Sequence, residues 1–146
     1  MTWVCVSNYD DFAELTRGMY SGNLITRVWH EGSVLPGYVS IDQRCGYYSH
    51  NGNFLMTEDD FDFDAMNLNS RIRWEFHKEG EELPRNALVA GATPDYELYI
   101  GSIRTCWNEM LYGQVHKDGK CFIASISGVM PVKTFYIATY NIENEN

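Results

Sequence analysis

The amino-acid sequence predicts an all-β fold made of two tandem antiparallel β repeats, related by a pseudo-twofold axis and sharing one core. Short segments rich in β-branched and aromatic residues alternate with turn-forming residues along the chain, which is typical of all-β proteins. In addition, residues 35–45 (LPGYVSIDQRC) match residues 111–121 (LYGQVHKDGKC) at a constant offset of 76. Leucine, glycine, valine, aspartate and cysteine recur at the same places in both segments, which indicates an internal duplication.

The duplication predicts one repeat over residues 1–68 and a second over residues 69–146. The boundary falls near residues 65–73, where the chain has turn-forming residues but no Pro- or Gly-rich linker. A unit of roughly 70 residues buries too little surface to be comfortably stable by itself. We therefore expect the two repeats to pack into one compact body.

The predicted elements follow from local composition. One helix is expected over residues 10–18, because Asp10 or Asp11 can cap its start and Gly18 can end it. Turns are expected at Pro36-Gly37 and at residues 50–52, 93–95 and 117–119. Strands are expected over residues 3–6, 23–29, 45–49, 53–56, 74–76, 97–107, 121–127 and 132–140.

The most acidic segment is TEDDFDFDA at residues 57–65. On a strand Asp60, Asp62 and Asp64 would lie on one face, with Phe61 and Phe63 on the other. Calcium prefers clustered carboxylates of this kind, but we expect solvent-facing carboxylates beside a buried phenylalanine pair. The spacing lacks the glycine and final glutamate of an EF-hand loop, and no HxH or HExxH motif occurs. We therefore predict no metal ion and no cofactor.

Cys45 and Cys121 stand at matching places in the two repeats, and the chain has no CxxC pair. Small buried thiols are the expected role for both, with a bridge between them as the alternative. The sequence also contains no GxSxG, P-loop or GxGxxG motif, so we predict a protein without enzymatic activity.

The formal net charge of −9 and the pI of about 4.8 exclude nucleic acid as an expected partner, because the chain would repel phosphate backbones. No apolar run approaches the ~20 residues of a transmembrane helix, so no membrane span is expected. The first residues lack the pattern of a signal peptide. We expect synthesis in the cytosol. Release by a route that needs no signal peptide stays an open alternative.

Residues 74–91 (WEFHKEGEELPRNALVAG) lead into the strand-like ELYIGSI segment. This block resembles the opening of a DM9 repeat, and TRVWHEGSVLPGYV with RCGYYS resembles its continuation. The resemblance covers roughly residues 15–140 as two tandem copies. It implies an all-β protein of the kind that includes mannose-binding lectins of invertebrate innate immunity, which are often homodimers. We therefore expect a stand-alone protein that binds a glycan of the mannose type.

The resemblance also implies where a sugar would bind. Sugar-binding members carry lysine in a P-G-K turn where this chain has Tyr38 and Gln114, and both of these can hydrogen-bond a sugar. The acidic residue that can follow A-G-x is replaced by Thr93, with Asp95 two residues further on, and the first copy has Tyr20. The candidate ligand-binding residues are Tyr38, Gln114, Asp95, Thr93, Tyr20 and Arg27.

Three alternatives stay open at this point. Arg27 lies at the family's arginine position, where it contacts a ligand or pairs with a neighbouring carboxylate. Trp29 and Trp107 precede the predicted turns and form either a platform for a sugar ring or part of the core. The whole scaffold serves either as a glycan-binding protein or as a protein–protein interaction module that has lost its sugar site.

Overall fold

The computed structural model describes residues 3–67 and 71–140. Within these residues the chain forms a 13-stranded, wholly antiparallel sheet system and one short helix, which confirms the all-β prediction. The predicted boundary at residues 68 and 69 lies outside the described residues. Below, "first half" means residues 3–67 and "second half" means residues 71–140.

The first half contains six strands and the helix. They are β1 (Trp3–Val6), α1 (Tyr9–Leu15), β2 (Asn23–His30), β3 (Ser33–Ser40), β4 (Cys45–His50), β5 (Asn53–Glu58) and β6 (Phe63–Met66).

The second half contains seven strands. They are β7 (Ile72–Lys78), β8 (Val89–Ala92), β9 (Glu97–Arg104), β10 (Met110–Val115), β11 (Cys121–Ser125), β12 (Gly128–Val132) and β13 (Thr134–Tyr140).

The strands of the two halves pair in the same order. The first half runs β1-β6-β2-β3-β4-β5, and the second runs β7-β13-β9-β10-β11-β12. β8 is additional: it pairs with β9 and reaches β3 through the single pair Val34↔Ala92. The halves therefore share one topology, and descent from a duplicated unit stays a prediction.

Helix α1 begins at Tyr9, one residue before the earliest predicted cap, and ends at Leu15 with Thr16 as its C-cap, so the predicted end at Gly18 is wrong. Asn8 has an extended backbone, with φ of −162°, and its side chain accepts a hydrogen bond from the Asp11 N–H at 2.9 Å. Asn8, rather than Asp10 or Asp11, is thus the N-cap. The two aspartates lie in the first turn, where negative charge is favourable.

The predicted turn at Pro36-Gly37 is wrong, because both residues lie inside the buried strand β3. A β-carbon on Gly37 would collide with the Tyr47 carbonyl oxygen and the Tyr48 ring. A β-carbon on Gly113, in β10, would collide in the same way with the Phe122 carbonyl oxygen. These glycines permit close approach of two strands, which a local pattern cannot distinguish from a turn.

The true hairpin turns lie elsewhere. Glu31-Gly32 joins β2 to β3 with φ of 48° and 79°, and Asn51-Gly52 joins β4 to β5 with φ of 52° and 79°. Positive φ at both central residues is typical of type I′ turns, which suit two-residue hairpins. The turns predicted at residues 50–52, 93–95 and 117–119 are confirmed.

The acidic segment is only partly a strand, because β6 begins at Phe63 and residues 59–62 form a loop. Asp60 and Asp62 are exposed, whereas Asp64 forms an ion pair. The predicted single carboxylate face is therefore wrong. Tertiary pairing with β1 and β2 decides where the strand begins.

The halves share their hydrophobic core. Leu98 of the second half packs within a cluster of first-half residues that includes Phe12, Leu35 and Tyr48. Tyr38 and Tyr47 of the first half pack within a second-half cluster around Ile123 and Phe135. Neither half would keep its buried surface without the other.

The four cysteines all lie in the described part of the chain and are free thiols. Cys121 is buried, whereas Cys45 is partly exposed. The sheet pairs Val115 with Cys121 but pairs the equivalent Val39 with Gly46. The predicted match between the two cysteines is therefore displaced by one residue, and no bridge joins them.

We expect Gly37→Ala to lower the free energy of unfolding by about 1–3 kcal/mol, because the new methyl group has no room against β4. Chemical denaturation measures the change. The exposed Ser127→Ala serves as a control and should stay within about 0.5 kcal/mol of the original protein. Equal effects of the two substitutions would contradict the close-approach role of Gly37.

We expect thiol reagents to separate the cysteines by burial. Burial raises the pKa of the Cys121 thiol to about 12, so it stays protonated and inert at pH 8. Cys5 and Cys106 are exposed and should react in the folded protein. Mass spectrometry after labelling assigns the sites, and Cys121 should react only in denaturant. Labelling of Cys121 as fast as Cys106 under native conditions would be the contrary result.

Candidate functional site

A cleft of about 550 Å³, with a mixed polar and apolar lining, opens where the two halves meet. Both halves contribute to its walls, so the cleft exists only when they are packed together. Its lining residues are Ser21, Gly22, Asn23, Tyr38, Ser40, Asp42, Gln43, Tyr47, Thr105, Trp107, Asn108, Glu109, Leu111, Ser125 and Ile126.

The first wall comes from the start of β2 and the β3–β4 loop. Ser40 Oγ donates to Asp42 Oδ1 at 2.9 Å and accepts from the Gln43 N–H at 3.3 Å. Asn23 Nδ2 donates across the cleft to the Met110 carbonyl oxygen at 2.8 Å. These bonds hold the loop in one conformation, so its amide and carboxylate groups are preorganised.

The second wall is the β9–β10 turn. Asn108 takes a left-handed backbone with φ of 63°, and its Oδ1 accepts from the Arg104 guanidinium at 2.8 Å. The Glu109 N–H donates to Thr105 Oγ1 at 3.2 Å, and Glu109 Oε1 accepts from Asn23 Nδ2 at 3.2 Å. The turn leaves the Trp107 indole 87% exposed at the mouth of the cleft.

Two buried tyrosines, whose rings are tilted by 33° to each other, form part of the cleft lining. The rings of Tyr38 and Tyr47 lie 5.2 Å apart between centroids. Desolvation by burial raises the pKa of both phenols, and the carboxylate of Glu109 adds to the shift. Both phenols therefore stay protonated. Tyr38 OH donates to the Ala124 carbonyl oxygen at 2.8 Å, and Tyr47 OH to Gln43 Oε1 at 3.4 Å.

The cleft thus combines carboxylates, amides and hydroxyls with aromatic faces. Its lining, among the described residues, includes Asp42 and Glu109 but neither lysine nor arginine. Such a surface repels anions and offers hydrogen-bond partners to hydroxyl groups. Its volume falls in the range of small-molecule sites.

A family model for the DM9 repeat matches residues 19–129. The chain belongs to the DM9 repeat family. The matched segment begins near the first wall of the cleft and covers most of each half. A comparison with curated proteins gives no match.

Among the described residues, no helix combines the length and apolar character that crossing a membrane requires.

The two residues at the DM9 lysine positions are not displayed on turns. Tyr38 is 3% exposed in β3, with only part of its ring reaching the cleft. Gln114 is 3% exposed in β10, outside the cleft. Its Nε2 donates to the Ser49 carbonyl oxygen, and its Oε1 accepts from His116 Nε2 at 2.8 Å. The prediction that these residues lie on exposed turns is wrong, because both motifs are central strands.

The residues after the A-G motif also lie away from the cleft lining. Thr93 Oγ1 accepts from the Asp95 and Tyr96 N–H groups, each at 3.2 Å, which closes the turn between β8 and β9. Asp95 is exposed on that turn. Tyr20 is 90% exposed and directly precedes Ser21 of the first wall.

Arg27 pairs with a carboxylate, as one of the two alternatives predicted. Its Nε lies 3.0 Å from Asp64 Oδ2, and its guanidinium donates to the Ala90 carbonyl oxygen at 3.2 Å. The guanidinium carbon also lies 4.3 Å from the centroid of the Trp3 ring. These contacts join β1, β2, β6 and β8, so Arg27 has a structural role.

Neither predicted alternative, a sugar platform formed by both tryptophans or two core tryptophans, describes Trp29 and Trp107. Trp29 and Trp107 are 78% and 87% exposed, so neither belongs to the core. Only Trp107 lines the cleft. The sequence prediction missed Asn23, Asp42, Gln43 and Glu109. Asp42 alone carried a signal, because it is the aspartate repeated at position 118.

We expect Tyr38→Phe to lower the free energy of unfolding by about 0.5–1.5 kcal/mol, because it removes the buried bond to Ala124. Tyr20→Phe is the matched control, since the Tyr20 side chain is almost fully exposed. Denaturant titration of both variants measures the difference. A Tyr38→Phe variant as stable as Tyr20→Phe would show that the bond contributes nothing.

Proposed function

We propose that this DM9 protein is a non-enzymatic, carbohydrate-binding recognition protein that holds a mannose-type glycan in the cleft between its halves. The observation that carries the proposal is the composition of the cleft, where two carboxylates and several amides lie beside the exposed ring of Trp107. Membership of the DM9 family supports the proposal, since that family includes lectins of invertebrate innate immunity.

The chemistry of a neutral sugar fits each wall. Asp42 and Glu109 can accept hydrogen bonds from a pair of hydroxyl groups, and Gln43 and Asn108 offer both donor and acceptor atoms. Trp107 presents an exposed apolar face for the C–H surface of the ring. The negative charge of the lining disfavours phosphorylated or sulfated glycans.

The proposal includes a homodimer, because two sugar sites in one assembly bind a glycan-coated surface more tightly than one. Single sugar sites bind weakly, so two chains in one assembly would gain avidity for a glycan-coated surface. Recognition of such a surface in innate immunity would require the protein to leave the cytosol. Sedimentation equilibrium tests the dimer separately from sugar binding.

A protein–protein interaction module is the second candidate. Among the described residues, β5 and β12 each pair on one side only. Phe54, Met56 and Met130 on these strands, with the adjoining Ile126, are exposed apolar side chains. Aromatic residues and methionine are enriched at protein interfaces. A stoichiometric protein partner without any glycan signal would favour this candidate.

Isothermal titration calorimetry with a mannose oligosaccharide tests the glycan proposal. We expect Asp42→Asn and Trp107→Ala each to weaken binding by about tenfold or more. Asp42→Asn removes the charge from hydrogen bonds that contribute about 1.5–3 kcal/mol, and Trp107→Ala removes the apolar face that contacts the sugar ring. Asp95→Asn and Trp29→Ala are the matched controls, because both are exposed outside the cleft and should leave the affinity unchanged.

Two results would refute the assignment. One is the absence of binding at millimolar sugar, with or without calcium. The other is an equal loss of affinity in the cleft variants and in their controls, which would place the ligand elsewhere.

A further inference from the structure

A second cluster of polar side chains lies outside the cleft lining. It consists of His30 at the end of β2, Glu31 in the β2–β3 turn and His50 at the end of β4. We propose that these three residues form a binding site for a divalent transition-metal ion of the zinc class. None of them lines the cleft, so this site is independent of the proposed glycan site.

The donor atoms already lie close to a coordinating arrangement. His30 Nε2 lies 3.8 Å from Glu31 Oε1, and His50 Nδ1 lies 3.7 Å from Glu31 Oε2. One donor atom from each residue falls within 4.8 Å of the other two. Zinc ligands at 2.0–2.2 Å in a tetrahedron are separated by roughly 3.3–3.5 Å. Small side-chain rotations would therefore complete the site.

The backbone holds the three residues in fixed places. His30 pairs with Ser33 and His50 with Asn53, so each histidine is the last residue before a type I′ turn. Their rings meet edge to face, with centroids 5.1 Å apart. Sites built on regular strands are positioned more accurately than sites on irregular loops.

The exposure of the side chains leaves a route for the ion. The His50 and His30 side chains are 15% and 33% exposed, whereas that of Glu31 is 71% exposed. The imidazoles form a sheltered base, and the carboxylate can swing over the ion from the solvent side. Three protein ligands leave one position of a tetrahedral ion for water.

The donor set selects the class of metal. Two imidazoles and one carboxylate suit zinc, nickel or copper, because imidazole is a good ligand for these ions. Calcium and magnesium prefer oxygen ligands, and this cluster supplies only one carboxylate. The site therefore differs from the calcium interpretation of the acidic segment.

Zinc titration of the full chain by calorimetry tests the proposal. We expect one zinc ion per chain at this site. His50→Gln and Glu31→Gln should each weaken binding by about tenfold or more, because loss of even a group that supports a metal ligand costs 10–100-fold. Cobalt in place of zinc should give visible absorption bands that the variants lose.

His116→Gln is the matched control. His116 forms a hydrogen bond with Gln114 and lies outside the cluster. The substitution therefore removes an imidazole but none of the proposed ligands. A Cys5→Ser/Cys106→Ser variant excludes binding by the two exposed thiols and should keep the zinc site. Glu31 lies on an exposed turn, so the thermal unfolding midpoint of the Glu31→Gln variant without metal should match that of the original protein.

The proposal is overturned by either of two outcomes. Zinc that fails to bind at millimolar concentration removes the site. Binding that survives His50→Gln and Glu31→Gln, or that is lost equally in His116→Gln, places the ion elsewhere. Sugar affinity is measured separately, so neither outcome bears on the glycan proposal.

Discussion

Two reciprocal hydrogen bonds between the halves constrain the whole arrangement. Tyr38 in β3 donates to the Ala124 carbonyl oxygen in β11, and Gln114 in β10 donates to the Ser49 carbonyl oxygen in β4. The two donors are 76 positions apart, and each inserts into the other half. A buried polar group without a partner is costly, so each half depends on the other to satisfy its own strand.

This constraint also determines which polar groups are left to line the cleft. Tyr38 and Gln114 form their side-chain hydrogen bonds within the seam, which is the contact of β3 and β4 with β10 and β11, so neither offers a free polar group to the cleft. The cleft consequently takes its polar atoms from the loops that border the seam, including Asp42 and Glu109. The loop at the end of β9 reaches the start of β2 through Asn23 and Glu109, 86 residues apart in the chain. The buried seam and the loop-built cleft are thus two aspects of one arrangement.

The sequence predicted those features that depend on neighbouring residues. The hairpin turn at residues 50–52 and strand β1 were identified correctly, because their signals are local. Strands β3 and β10 were missed, since Gly37 and Gly113 suggested turns. These glycines permit close approach to a neighbouring strand, and a local sequence pattern does not reveal which residue of that strand they contact. Of the cleft lining, the sequence predicted Tyr38 and Trp107 and missed the other residues, because the walls come from segments far apart in the chain.

The two halves share an order of strands but differ in what they place beside the seam. At the repeat offset of 76, Trp107 and Glu109 of the cleft correspond to Glu31 and Ser33. Glu31 belongs to the cluster with His30 and His50. On one side the β9–β10 turn contributes an exposed indole and a carboxylate, whereas on the other the β2–β3 turn carries a carboxylate between two imidazoles. A common backbone fixes the two locations, and a few turn residues decide which chemistry each one offers. The same scaffold can therefore present two unlike clusters of polar side chains without any change in its core.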